Sequence, residues 1–352
     1  MTSRERVLAT LNGDIPDRVG RTDSPWAETM VRWKAEGLQE DQDIHELFGF
    51  DFGGLPWPDL SLRLPTEVFE ECDEYIVQRD ANGVKRKDMK RESGHTPHWL
   101  DYTVKTSRDW FEHKERLTPS DDRIAANMRE SYDALRARSF FVHMAGIEPY
   151  ECMWHMMGQV NTFTMMMDEP EVVRDIFETY ADLFIALAEK VLDMGIDVDG
   201  VWFYGDLGYR NATLFSPRIY KELLLPAHKR MCDFVHSRGK PVILHSCGKI
   251  QALIPDFIEA GFNAIQPLEA KCGQDVRQLK SEFGNKITFF GNIDVRKLSG
   301  TKQDIEEEIS SKVPAAMKGG GYIFHSDHSV PPTVSFQNYC YAIELMERYG
   351  KY

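Results

Sequence analysis

His245 and Cys247 carry the two ligand types zinc prefers, an imidazole nitrogen and a thiolate sulfur, separated by one serine. They follow the apolar run Pro241-Val242-Ile243-Leu244. Side chains two apart on a strand point to the same side, so a strand over 241–245 projects both groups into one pocket. That pair is half of a tetrahedral metal shell. A second cluster, His325-Ser326-Asp327-His328, follows another apolar run, Gly321-Tyr322-Ile323-Phe324. Two strand ends bearing such groups point to a site assembled on one rim of a barrel.

Polar groups also follow the other apolar runs: His143, Glu148 and Glu151, then Asp206, then Gln266 and Glu269, then Asn292 and Asp294. Each admits two readings. His143 and His325 fit satisfied core histidines as well as site groups. Glu148, Glu151 and Glu269 fit carboxylates stabilised at helix N-termini. Asp206 fits a turn, and Asn292 and Asp294 fit helix caps. Cys272 has no supporting neighbour and reads as structural. The methionines at 153, 156, 157 and 165–167 fit a helical core or a flexible apolar pocket.

The elements that must hold these groups alternate regularly. Helical periodicity runs through 106–116, 122–137, 149–167, 170–194, 216–237, 249–260, 274–283, 302–318 and 335–348. Between these stretches lie short apolar runs at 140–142, 200–204, 242–244, 264–265, 287–290 and 322–324. That rhythm predicts a parallel sheet with helical crossovers. These six strands, with one or two earlier ones, approach the eight of a closed barrel, whose active site lies at the strands' C-terminal ends. No Gly-x-Gly-x-x-Gly follows a strand, so the doubly wound alternative is less favoured. Residues 66–103 break the rhythm with short polar-alternating runs, and Asn82-Gly83 sits between two of them. The expectation there is a small antiparallel β insertion.

Composition narrows the partners. Lysine and arginine number 42 against 56 aspartates and glutamates, a formal charge of −14 that repels nucleic acid and anionic membranes. No apolar window is long enough to span a bilayer, and the first residues lack the apolar core of a signal peptide. The six cysteines are scattered without a disulfide framework, which fits a reducing cytoplasm.

The stretches Ile15-Pro16-Asp17-Arg18-Val19, Gly205-Asp206-Leu207-Gly208, Ser216-Pro217-Arg218-Ile219-Tyr220, Leu244-His245-Ser246-Cys247-Gly248, Gly291-Asn292-Ile293-Asp294 and Gly319-Gly320-Gly321-Tyr322-Ile323 together carry a resemblance. The chain resembles the uroporphyrinogen decarboxylase superfamily, and within it the branch of cobalamin-dependent methyltransferases. The match covers nearly the whole chain and is looser over 66–103. The resemblance implies a (β/α)8 TIM barrel, in agreement with the alternation above.

The two branches make different demands. Uroporphyrinogen decarboxylases grip a polycarboxylate tetrapyrrole with arginines in an N-terminal Arg-Gln-Ala-Gly-Arg segment and need no metal. The corresponding region here holds Arg21 but also Asp23, so that substrate is not expected. The methyltransferase branch carries zinc on His-x-Cys plus a distant third ligand, typically a cysteine. His245 and Cys247 match the first two, and His328 stands at the third place. A His/Cys/His shell is less anionic, hence a stronger Lewis acid, and suits a neutral oxygen or nitrogen donor. The fourth position is open to Glu148, Glu269, Asp327 or water.

The resulting expectation is a cytoplasmic zinc-dependent methyltransferase, a single domain over 1–352. It would move a methyl group between a small O- or N-methyl compound and a corrinoid carried on a partner protein, since no corrinoid-binding module is recognisable. Asp206 and Glu148 are the expected acid–base groups; Trp154, Trp202, Tyr204, Asn292 and His325 are expected to face the substrate. The competing readings are a metal-free decarboxylase or lyase of a smaller carboxylate centred on Asp206, and a barrel scaffold or corrinoid-protein chaperone with a vestigial site.

Overall fold

The computed structural model describes residues 1–90, 96–284 and 286–352. Among the described residues, twelve strands form two sheets. Eight of them are β1 (Gly20–Arg21), β2 (Phe52–Gly54), β7 (Phe141–Ile147), β8 (Gly200–Tyr204), β9 (Val242–Ser246), β10 (Ala264–Pro267), β11 (Thr288–Phe290) and β12 (Tyr322–Phe324). They pair in parallel in the order β1-β12-β11-β10-β9-β8-β7-β2. The Asp51 N–H donates to the Arg21 carbonyl at 2.8 Å, linking the chain at the two outer strands. This is a (β/α)8 barrel, as the alternation of apolar runs and helical stretches predicts.

Burial follows the strand period. Trp202 on β8 and Ile243 on β9 face an interior cluster with Phe52, Phe141, Phe290 and Ile323. Their neighbours Val201, Phe203, Val242 and Leu244 face the helices instead. His245 therefore points inward, two residues beyond Ile243. The N-terminal helix Ser3–Leu11 contributes Val7 and Leu11 to the same interior cluster. Its Arg4 N–H donates to the Ser139 carbonyl, just before β7, so this helix closes the end of the barrel where the strands begin. A Thr2–Glu5 capping box starts it and Asn12 caps its end. Asp51, fully buried, pairs with Arg6 of that helix at 2.8 Å and with Arg18 at 2.9 Å, so the Asp17-Arg18 motif is structural cement.

The outer layer is amphipathic. In Pro170–Asp193, Val173, Ile176, Phe177, Tyr180, Phe184, Leu187 and Val191 are buried at three- and four-residue spacing. The helix expected over 216–237 is instead interrupted by a π-helical turn, Tyr220–Leu224. Pro226, which follows, has no N–H to continue the α ladder.

The remaining strands are β3 (Glu67–Glu71), β4 (Tyr75–Arg79), β5 (Val84–Met89) and β6 (His98–Tyr102), a separate antiparallel sheet. It is the insertion expected over 66–103, although residues 91–95 within that span lie outside the described residues. Gly83 N–H donates to the Asp80 carbonyl in the predicted turn. The sheet packs beside the barrel's C-terminal rim, with Trp99 on β6 edge-on to Trp154 at 5.7 Å. Among the described residues, no helix is long and apolar enough to cross a membrane.

Candidate metal centre

Two loops at the C-terminal ends of β8 and β9 are interlocked. Gly208 and Gly248 lie against each other so closely that a Cβ on Gly248 would stand 2.3 Å from the Gly208 carbonyl carbon. Gly248 also has φ +80, a conformation side chains resist. Around this crossing, the Asp206 carboxylate accepts the Cys247 N–H at 2.9 Å, and Ser246 Oγ accepts the Leu207 N–H at 2.9 Å. Neither loop can be placed without the other, and Cys247 sits at their junction.

His245 is oriented from behind. Its Nδ1 lies 2.5 Å from Gln266 Oε1 on the neighbouring β10. An amide oxygen only accepts, so the proton sits on Nδ1 and the Nε2 lone pair is free. That Nε2 lies 3.4 Å from Cys247 Sγ and 3.5 Å from Asp206 Oδ1. Gln266 is held in turn by His325: its Nε2 donates to the ring at 3.4 Å, while His325 Nδ1 bonds the Ser326 carbonyl at 2.6 Å. Such outer contacts fix the tautomer of metal-binding histidines.

Cys247 belongs to two groups of donor atoms, each lying within 4.8 Å of one another: Asp206, His245 and Cys247, and Cys247, Glu269 and His328. The three expected ligands thus meet through the thiol. Of the expected fourth ligands, Glu269 joins a group. Asp327 instead spends its oxygens on the N–H groups of Ala270 and Val295.

The electrostatics favour a cation. Burial first, then the Asp206 and Glu269 carboxylates, push the Cys247 thiol well above its ordinary range. Burial alone would lower His245, but the Asp206 carboxylate and Gln266 outweigh it and raise it. The Asp206 and Glu269 carboxylates beside these groups supply negative charge that a divalent ion would neutralise. His328 differs: burial, then Lys271, hold it below its ordinary value and keep a nitrogen lone pair available. Soft thiolate, borderline imidazole and a carboxylate together form a zinc-type donor set, so the residues fit that ion.

Several expected residues lie elsewhere. Glu148 is fully buried, caps the helix Pro149–Met157 through the N–H groups of Tyr150 and Glu151, and pairs with His228 at 3.0 Å. Its oxygens are thus occupied by the helix cap and by His228. Glu151 reaches the rim instead, accepting the Asp206 N–H at 3.0 Å and Trp154 Nε1 at 2.7 Å. Asn292 is fully buried; it donates to the Leu268 and Gln274 carbonyls and accepts the Val276 N–H, tying the β10 and β11 loops together. His325 stands behind Gln266, and Trp202 belongs to the barrel interior. Trp154 lines a different cleft, against Trp99 and Tyr102 of the insertion. Tyr204 does flank the centre, stacked on His245 at 5.1 Å. Trp57, for which the sequence carries no local signal, lies against Tyr204 with ring centres 4.8 Å apart and planes tilted by 33°; its loop follows the short β2.

Fold and site together define a parallel barrel with a candidate cation centre on its C-terminal rim. The chain belongs to the uroporphyrinogen decarboxylase (URO-D) family, whose model matches residues 108–349. Among its relatives is a uroporphyrinogen decarboxylase of Hydrogenovibrio crunogenus, 26% identical over 185 residues, which are 50% of this chain and 49% of the relative. Another is the methylcobamide:CoM methyltransferase of Methanosarcina barkeri, 26% identical over 170 residues, 47% and 46% of the two chains. A third is a methylated-thiol–coenzyme M methyltransferase of Methanosarcina mazei, 24% identical over 159 residues, 45% and 40%. The matched segments thus span about half the length of these curated relatives or less. A solved methyltransferase from Methanosarcina mazei shares the fold, with a TM-score of 0.70, 15% identity and 99% of both chains covered.

Proposed function

We propose that this protein is a zinc-dependent methyltransferase that moves a methyl group between a small O- or N-methyl compound and a corrinoid carried by a partner protein. The observation that supports it best is the sharing of Cys247 between two donor groups, with His245 turned toward the thiol by Gln266. His245, Cys247 and His328 would hold the ion, with Glu269 nearest the fourth place, although its oxygens also hold the Gly248 N–H and Lys271. Zinc supplies Lewis acidity toward the substrate's oxygen or nitrogen, and the corrinoid supplies the cobalt that exchanges the methyl group.

The chain's own residues would do the rest. Tyr204 and Trp57 form an aromatic wall beside His245 that orients an apolar methyl-bearing group and excludes water. Asp206 is the acid–base group nearest the centre: its Oδ1 faces His245 and its side chain is half-exposed. Glu151 holds the Asp206 loop from below. The relatives named as methyltransferases support this reading. The relative named as a decarboxylase favours a second one, metal-free decarboxylation of a smaller carboxylate centred on Asp206.

Zinc content separates the two. About one zinc per chain in protein purified without chelators, lost in Cys247→Ala and weakened in His328→Ala, is the expected result. A folded wild type that neither contains nor takes up zinc would overturn the methyl-transfer reading in favour of the second.

A further inference from the structure

We propose that the cleft beside Cys247 binds an anionic group of the small substrate, a carboxylate or sulfonate, with Arg210 as its principal counter-ion. The inference rests on the methyl-transfer reading and narrows its substrate to methylated compounds that carry a negative charge.

The cleft has a volume of about 390 Å³ and opens directly beside Cys247 and Glu269. Its other walls bring together Arg210, Lys271 and Arg296. The chain carries a net charge of −14, yet three cations gather around this one cleft. Two of the three are already engaged. Lys271 lies 2.8 Å from Glu269, and Arg296 grips Asp294 with two nitrogens, the nearer contact being 2.6 Å. Arg210 has no hydrogen-bond or ion-pair partner among the described residues. Its guanidinium is the free charge of the cleft.

The position of Arg210 is built. The loop carrying it closes on itself through a bridge between Gly208 and Thr213 and a 2.7 Å bond from Tyr209 N–H to the Ala212 carbonyl. Its base is the glycine crossing that also carries Cys247, and the Lys249 N–H donates to the Tyr209 carbonyl at 2.8 Å. The loop that presents the cation is therefore fastened to the loop that presents the thiol. A planar guanidinium at that place suits a carboxylate or sulfonate, which it can engage through two parallel hydrogen bonds. The cleft's size admits a small molecule. A polyanion would meet the repulsion of the rest of the surface.

Two matched pairs of probes test this: 3-methoxybenzoate against 3-methoxybenzamide, and 3-methoxypropanoate against 3-methoxypropanamide. Each is titrated calorimetrically into wild type and Arg210→Gln, with zinc measured in the same preparations. In at least one pair the anion should bind about 10-fold more tightly than the amide. That preference should shrink with added salt and be lost in Arg210→Gln, whose zinc content should equal that of wild type. Equal affinities within both pairs, no binding in either, or a preference that survives Arg210→Gln would overturn the inference. Zinc reports separately on the methyl-transfer reading. Zinc-free protein with an Arg210-dependent anion preference overturns that reading and upholds the anion site; zinc-loaded protein without the preference does the reverse.

Discussion

Gln266 Oε1 stands 2.5 Å from His245 Nδ1, and this contact decides which edge of the imidazole faces Cys247. Gln266→Leu removes the acceptor while keeping an apolar stem of similar reach. Zinc affinity is then expected to fall by about 10- to 100-fold, the range found for lost outer-shell partners. Competition against a chromophoric chelator measures it. Unchanged affinity would mean that the ring is oriented by its stacking on Tyr204 alone.

Gly248→Ala tests the interlocked loops. The added methyl meets the Gly208 backbone at 2.3 Å in a conformation of φ +80, and backbone has no rotamer by which to yield. A loss of roughly 2 kcal/mol or more is expected, together with reduced zinc retention. A urea midpoint equal to that of wild type would show that the loops can separate without cost.

His143 supplies a pH dependence. Burial draws it from 6.5 down to about 4, so the folded protein keeps the ring neutral where the unfolded chain takes up a proton. The stability it contributes is complete above about pH 6.5 and is lost as pH falls toward about 4, by roughly 3 kcal/mol in all. His143→Leu should flatten the decline in urea midpoint between pH 7 and pH 4.5. An equally steep decline in that variant would assign the acid sensitivity to other groups.

Asp51 joins Arg6, Arg18 and the Arg21 N–H in one buried cluster. Asp51→Ala strips the anion from two guanidiniums with little solvent access, at a cost of about 3–5 kcal/mol. The thermal midpoint should drop sharply. A shift of only a degree or two would mean that water replaces the carboxylate.

Glu148→Gln distinguishes a cap from a catalyst. The amide keeps an acceptor for the helix N-terminus but replaces the carboxylate oxygen that meets His228 Nε2, so a loss of about 1–3 kcal/mol is expected with zinc content intact. Loss of zinc at unchanged stability would return Glu148 to the site.

The barrel was legible because its evidence is periodic. Apolar runs at 200–204, 242–244 and 322–324 became β8, β9 and β12, and the alternation in β9 placed His245 inward. Polar groups at strand ends were legible for the same reason, and His245 and His328 each lie near the Cys247 thiol, in two separate groups of donor atoms. Orientation was not legible. Glu148, Asn292 and His325 all follow strands, yet each is turned toward backbone or side-chain partners that chain order does not reveal: His228 lies 80 residues from Glu148. A polar group after a strand must first satisfy the loop's own N–H and C=O groups, and only the remainder is available for chemistry. The supports of the site, Gln266 and Glu151, act across strands, so local pattern marked them only as polar residues near a rim.

The helix Ser3–Leu11 that seals the far end of the barrel turns the site into a room with one door. A small molecule and a corrinoid-bearing partner would have to use the same entrance. On the methyl-transfer proposal, a partner seated on the rim would shut in whatever already lay beside Cys247, so the small molecule would have to arrive first. Turnover would then be governed by a queue at the threshold, with the slower visitor setting the pace.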